Sequence, residues 1–92
     1  MPQRNQFVIC NDLAQPLRLN IEPEGAVFSL SKGEEVQITD VFTSQPVTIK
    51  LTRSEKGEPV VSIWPGDGEV TVEKDGIDML DMLPIGGNAR SA

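Results

Sequence analysis

The sequence predicts an all-β protein: a single small antiparallel β-sandwich or partly open, jelly-roll-like barrel of seven or eight short strands. Three observations lead to this prediction. Apolar and polar residues alternate at period two along most of the 92 residues, as they do in strands with one buried face. β-Branched valine, isoleucine and threonine fill many of these positions and favour strands. Turn-forming residues recur at intervals of about 8–12 residues, the spacing of small sandwiches and barrels.

The strands follow from this alternation in chain order. We expect them at residues 6–10, 16–21, 26–31, 34–41, 46–53, 59–64 and 68–74, with an eighth short element after Gly76. Asn11-Asp12 ends the first strand, residues 23–25 separate the second from the third, and Asp75-Gly76 is a strong two-residue hairpin signal. Two Lys-Gly-Glu stretches, at residues 32–34 and 56–58, are interpreted as hairpin turns in which glycine supplies a positive φ.

The same alternation predicts the core. Fourteen side chains are expected to point inward: Leu17, Leu19, Ile21, Phe28, Leu30, Val36, Ile38, Val47, Ile49, Leu51, Val61, Ile63, Val70 and Val72. A core of this size stabilises a single chain only marginally, because ordering the backbone opposes it. Edge-to-edge or face-to-face pairing of two copies would add stability, so the sequence is compatible with a homodimer but does not require one.

Composition argues against several classes of partner. Fourteen acidic residues outnumber eight basic ones, giving a net charge of −6 and a pI near 4.4, which argues against nucleic acid and anionic membranes. The longest apolar run is residues 7–10, far short of the roughly 20 residues that span a bilayer.

No secretory signal is seen, so a cytoplasmic location is predicted. Residues 1–84 are expected to form one β-domain, and residues 85–92 a flexible tail.

Catalysis and metal binding are not predicted. The chain has no histidine, so a serine or cysteine nucleophile would lack its most common base. The single cysteine, Cys10, ends the apolar run and is expected to be a small buried hydrophobe, not a reactive thiol. The acidic residues are assigned to turns or to outward strand positions, and no spacing of metal ligands is found. We therefore predict a protein that is not an enzyme and has no cofactor.

Five residues are candidate contacts to a partner or ligand. Trp64 ends a strand and either anchors a ligand at the rim or covers the open end of the core. Asp67 and Glu22 lie in acidic turns and would line the same mouth of the fold. Met79 and Met82 belong to a segment that fits either a strand or one to two helical turns with an apolar stripe. This segment either docks in a partner's groove or packs its methionines over an open edge or end of the sheet.

Residues 21–38 resemble a stretch of small bacterial β-proteins to which no activity is assigned. The shared features are a Glu-Pro-x-Gly turn, an aromatic residue and a leucine, and then Gly-Glu before a strand. They are carried here by Glu22, Pro23, Gly25, Phe28, Leu30, Gly33, Glu34 and Ile38. The piece Leu-x-x-Gly-Glu-x-Val at residues 30–36 is also similar to segments of cupins and cupredoxins. Those families hold metals through histidines, which this chain lacks, so the resemblance implies no metal site here.

The predicted function is a non-enzymatic binding or assembly module that acts through protein–protein contacts or self-association. Exposed strand edges are templates for pairing with another chain, and no set of catalytic residues emerges from the sequence. The alternative is a small-ligand or carbohydrate-binding β-domain that uses Trp64 and the neighbouring acidic turns.

Overall fold

The alternating segments fold into two four-stranded sheets that pack face to face. The computed structural model describes residues 1–82, with side chains as far as Leu80. The elements are β1 (Gln3–Cys10), β2 (Leu17–Ile21), β3 (Ala26–Leu30), β4 (Glu35–Phe42), β5 (Thr48–Arg53), β6 (Pro59–Trp64), β7 (Glu69–Lys74), β8 (Ile77–Asp78) and a short 3₁₀ helix (Met79–Met82). The predicted all-β sandwich of short strands is confirmed. The tail predicted at residues 85–92 lies outside the described residues.

The strand order places one parallel pair in an otherwise antiparallel sandwich. Sheet I has the order β1-β4-β7-β8, and sheet II has the order β3-β2-β6-β5. Within sheet II, β2 and β6 run parallel, with Leu19 opposite Val61 and Ile21 opposite Ile63. The prediction specified only antiparallel pairing. The chain leaves sheet II after β3, adds β4 to sheet I and returns through β5, so no turn joins β2 to β6. Local alternation does not encode which distant strands become neighbours.

The core lies between the two sheets and draws on the inward residues of both. Its buried members are Leu17, Leu19, Ile21, Ala26, Leu30, Val36, Ile38, Val61, Ile63, Val72 and Met79. Nine of the fourteen predicted core residues are among them, and Phe28, Val47 and Val70 pack partly buried against the cluster. The prediction is wrong for Ile49 and Leu51, which are exposed.

Strand β1 shows the alternation at the edge of sheet I. Phe7 and Ile9 pack partly buried against the core, whereas Val8 and Cys10 are exposed. The prediction that Cys10 is buried is therefore wrong, because the residue occupies an outward position of an edge strand.

The turns largely follow the predicted chemistry. Asp75 and Gly76 have φ angles of 54° and 81°, and a turn with two positive φ values matches the twist of the β7–β8 hairpin that it closes. Gly33 and Gly57 also have positive φ, as expected for both Lys-Gly-Glu stretches. Gly57 lies in the β5–β6 hairpin. Gly33 instead joins β3 to β4, which belong to different sheets, so this stretch is not a hairpin turn.

One carboxylate lies inside the core. Asp40 follows Val36 and Ile38 on the inward face of β4 and is 0% exposed. Its Oδ2 accepts a hydrogen bond of 2.9 Å from the N–H of Val47, and within the described residues its Oδ1 has no hydrogen-bond partner. The assignment of all acidic residues to turns or outward positions is thus wrong for Asp40. The alternation of β4 itself places the residue inward.

Candidate functional site

Strand β5 is the part of sheet II that the core does not cover. All six of its residues are exposed. Ile49 and Leu51 stand opposite Ile63 and Val61 of β6, so their side chains point to the inward side of the sheet. Leu51 is nevertheless 80% exposed. The core prediction fails for this strand because β5 is the edge of sheet II and the opposite sheet leaves its inward side uncovered.

An apolar groove lies between β5 and the end of β1. We call it the β1–β5 groove; its volume is about 610 Å³, and its apolar walls are formed mainly by Ile9, Leu13, Leu17, Leu51, Val60 and Val61. β1 and β5 are edge strands of different sheets and are not hydrogen-bonded to each other. The groove therefore lies at an open side of the sandwich, between the edges of the two sheets. Two charged residues, Arg53 and Asp12, also line it. A concave apolar surface with few polar groups is the usual form of a binding site.

Asn11 holds the loop that forms one wall of this groove. The residue is only 1% exposed. Its side-chain amide donates hydrogen bonds to the carbonyl oxygens of Leu30 (2.8 Å) and Gln15 (3.0 Å), and its Oδ1 accepts one from the N–H of Leu13 (2.9 Å). Leu13, 45% exposed, is thereby held at the groove. From the sequence, Asn11 is predicted only to end a strand, and its hydrogen bond to Leu30 has no local sequence signal.

Asp67 has a structural role. Its Oδ1 accepts a hydrogen bond of 2.9 Å from the N–H of Thr43, and its Oδ2 accepts bonds from the N–H groups of Ser44 (2.8 Å) and Gln45 (3.0 Å). The N–H of Asp67 in turn donates to the carbonyl oxygen of Gln45 at 3.0 Å. The carboxylate of Asp67, a predicted ligand contact, therefore binds the loop between β4 and β5.

The glycines beside Asp67 make this contact sterically feasible. A Cβ on Gly66 would overlap the backbone of residues 45–46, and a Cβ on Gly68 would overlap the backbone of residues 41–42. The hydrogen bonds from the N–H groups of the loop, that of Thr43 first, hold the pKa of Asp67 below its ordinary value. The Gly-Asp-Gly sequence thus fastens the β6–β7 connection to the loop that leads into β5.

Trp64 alternates with the inward Ile63 and so lies on the outer side of sheet II, where it is 39% exposed. The ammonium group of Lys50 lies 5.3 Å from the centroid of its ring, within the range of a cation–π contact. Glu22 is held near the same end of the sheet because its N–H donates a 2.9 Å hydrogen bond to the carbonyl oxygen of Ile63. The carboxylate of Asp67 is bound by the loop at residues 43–45. Trp64, Glu22 and Asp67, which were predicted to line one ligand site, therefore do not all face a common ligand.

Residues 77–82 combine the two conformations that the sequence left open. Ile77 and Asp78 pair with β7, and the chain then forms the 3₁₀ helix. Met79 is buried in the core, and Leu80 packs partly buried against it. The prediction of Met79 as a partner contact is therefore wrong, because this side chain packs into the core instead. The side chain of Met82 lies outside the described ones.

The two sheets carry opposite charge. The strands of sheet II contain three basic residues, Arg18, Lys50 and Arg53, and no acidic residue. The strands of sheet I contain five acidic and two basic residues. Two of the three basic residues of sheet II lie on β5, so the exposed edge beside the groove is basic in an acidic protein. Composition could not reveal this segregation, because it depends on the strand order.

The ion pair on sheet I is structural as well. Lys74 Nζ lies 2.7 Å from Glu34 Oε2, and Glu34 Oε1 accepts a 2.6 Å hydrogen bond from the N–H of Ser31. The hydrogen bond with Lys74 lowers the pKa of Glu34, and the same bond raises the pKa of Lys74. This pair ties the β3–β4 connection to β7. Across residues 1–80, no three histidine, cysteine, aspartate or glutamate side chains gather in a way that would hold a metal ion.

Comparison with known proteins adds no relative. No family model matches the chain, and no curated protein or solved structure matches it. The resemblance of residues 21–38 to small bacterial β-proteins stays a prediction. Among the described residues, none of the helical structure is long and apolar enough to cross a membrane.

Proposed function

We propose that this protein is a non-enzymatic protein-binding module whose interface is the edge strand β5 together with the β1–β5 groove. The observation that carries the proposal is the 80% exposure of Leu51, an inward-pointing leucine directly opposite the buried Val61. An unpaired strand edge offers N–H and C=O groups to an added strand, and an adjacent groove accepts every second side chain of that strand. Backbone hydrogen bonds would supply affinity, and the groove would supply selectivity.

The charges of β5 favour a different chain over a second copy as the partner. When two β5 strands pair antiparallel about a two-fold axis, opposite residues face the same side, so the pairing is centred on one residue. Centring on Lys50 places two lysines opposite each other, and centring on Ile49 or Leu51 makes them diagonal neighbours at about 7–8 Å. Centring on Thr52 does the same to Arg53. Like charges at such positions destabilise the pairing, so self-association through β5 is disfavoured.

The test is a selection of strand-forming peptides that depend on Leu51. A random peptide library displayed on phage is selected on the wild-type protein and counter-selected on Leu51→Asn. Val27→Asn is the matched control, because Val27 is an exposed apolar residue on the other edge strand of sheet II. We expect enriched peptides with alternating apolar residues that bind the wild type and Val27→Asn but not Leu51→Asn. They should protect the backbone amides of residues 48–53 from hydrogen exchange. Enriched peptides that ignore Leu51, or protection elsewhere, would refute the proposal.

Carbohydrate binding at Trp64 is the second candidate function, favoured by the partial exposure of this ring. Lys50 lies over the ring, and the carboxylate of Asp67 is engaged by the loop, so the site offers less than the groove does. A saturable shift of tryptophan fluorescence with a glycan panel would favour this candidate. If no glycan shifts the tryptophan fluorescence, carbohydrate binding is rejected and protein binding is the one proposed function that remains.

A cytoplasmic location is part of the proposal. Cys10 is the single cysteine of the chain and is exposed and free, which suits a reducing compartment. Fractionation of cells that express the tagged protein tests this point, and recovery in a secreted fraction would contradict it.

A further inference from the structure

We propose that the occupant of β5 is an extended acidic segment that adds to the sheet with one carboxylate opposite Lys50 and a second opposite Arg53. This inference rests on the proposed function and names the chemistry of its partner. It follows from which side of the strand each basic residue occupies.

The two basic residues of β5 lie on different sides of the sheet. Lys50 stands opposite Ser62 and shares the outer side with Trp64. Arg53 stands opposite Pro59, two positions beyond Leu51, and lines the β1–β5 groove. A partner strand would therefore meet one cation on its solvent side and one at the end of the apolar groove.

Neither cation forms an ion pair with a carboxylate among the side chains that the structure describes, up to Leu80. Within the described side chains, the one ion pair joins Lys74 to Glu34. Arg53 Nη1 donates a hydrogen bond of 3.1 Å to the carbonyl oxygen of Gly57, which orients the guanidinium and leaves its charge uncompensated. Lys50 contacts the uncharged ring of Trp64. Two unpaired positive charges on an exposed edge oppose a basic or identical strand and attract an acidic one.

The acidic residues near this edge lie beyond the paired positions. Glu55 and Glu58 belong to the β5–β6 turn, where they line the same depression as Arg53 and Lys56, and Asp12 lies at the groove wall. None of them is on β5 itself. These carboxylates limit the attraction at the turn end of the strand, so the contact opposite Lys50 should carry more of the charge preference than the contact opposite Arg53.

The register defines a sequence pattern for the partner. In an antiparallel strand, opposite residues share a side of the sheet. Counted from the position opposite Arg53 to the position opposite Ile49, the partner would carry an acid, any residue, an apolar residue, an acid and an apolar residue. The two apolar positions face Leu51 and Ile49, and the second acid, at the fourth position, faces Lys50 on the outer side. A probe with this pattern is the blocked decapeptide made of two repeats of Glu-Thr-Val-Glu-Val.

The experiment measures binding of this peptide to the full-length protein by isothermal titration calorimetry and maps it by amide protection of residues 48–53. The comparison peptide replaces each glutamate by lysine. We expect the acidic peptide to bind at least about tenfold more tightly, because two attractive cross-strand pairs become repulsive in the lysine peptide. The preference should shrink as the salt concentration rises from 50 to about 500 mM, since salt screens exposed charges.

Variants show whether the preference belongs to β5. The double substitution Lys50→Glu and Arg53→Glu should reverse the order of the two peptides, whereas Lys56→Glu, a basic residue of the adjacent turn, should change it little. Equal binding of both peptides with protection of residues 48–53 would overturn the acidic partner and leave the proposed function intact. Failure of both peptides, together with a phage selection that enriches nothing at β5, would overturn both proposals. Displacement by a single-stranded oligonucleotide at similar concentration would mean that the edge binds polyanions in general, which would also overturn the peptide assignment.

Discussion

The exposure of Leu51 makes a quantitative prediction about the stability of the free protein. Full burial of a leucine side chain contributes about 1.5–3 kcal/mol. Because Leu51 is 80% exposed, only about one fifth of this contribution is realised, so Leu51→Ala should lower the free energy of unfolding by about 0.5 kcal/mol. Leu19 in β2 is 0% exposed, and Leu19→Ala should cost about 2–5 kcal/mol.

Urea denaturation of the two variants and the wild type measures both effects in one experiment. The unfolding is followed by tryptophan fluorescence and circular dichroism at two protein concentrations at least tenfold apart. Both variants carry the same leucine-to-alanine substitution on the inward side of sheet II, so the difference between their costs reports how well each side chain is covered. A cost above about 1.5 kcal/mol for Leu51→Ala would refute the open groove, because it would mean that the leucine is covered in the free protein. Dependence of this cost on protein concentration would identify a second copy as the cover.

Three further predictions concern the loop contacts made by Asn11, Gly68 and Asp67. Asn11→Ala removes three side-chain hydrogen bonds at a buried site and should lower the free energy of unfolding, measured by urea denaturation, by about 2–4 kcal/mol. The control Asp12→Ala, at the exposed neighbouring residue, should lower it by less than about 0.5 kcal/mol. Equal losses would contradict the role of Asn11. Gly68→Ala places a methyl group on the backbone of Val41 and should lower the midpoint of thermal unfolding, so an unchanged midpoint would refute the close approach. Because folding lowers the pKa of Asp67, its ionised carboxylate stabilises the fold fully above pH 3.8, and this stabilisation is lost as the pH falls through the lower pKa of the folded protein. Acid unfolding of the wild type should therefore depend more steeply on pH than acid unfolding of Asp67→Asn. Parallel acid-unfolding curves would contradict this role of Asp67.

The sequence predicts the strands well because their pattern is local. The alternation of Leu17, Leu19 and Ile21 with polar neighbours places every second side chain on one side, and the structure buries all three. The Asp-Gly turn before β8 is likewise a local preference for positive φ, and it forms as predicted.

The binding site could not be predicted in the same way because it depends on contacts between distant parts of the chain. Residues 47–51 have the same alternation as β2, and only the position of β5 at the edge of sheet II leaves Leu51 uncovered. In the sequence, Asp67 has the features of an ordinary turn residue, because its structural role depends on hydrogen bonds from residues 43–45, more than 20 positions away. Asp40 is different, since its place in the alternation of β4 marks it as inward without any long-range information.

The parallel pairing of β2 with β6 has a consequence for how the protein folds. Three hairpins, β2–β3, β5–β6 and β7–β8, join strands adjacent in sequence, whereas the β1–β4, β4–β7 and β2–β6 pairs join strands far apart. Closing such long loops costs entropy before any contact compensates for it, so a topology of this kind typically folds in milliseconds to seconds. In a nascent chain, β2 therefore lacks its central neighbour until residues 59–64 have been synthesised, and sheet II cannot be completed before that point.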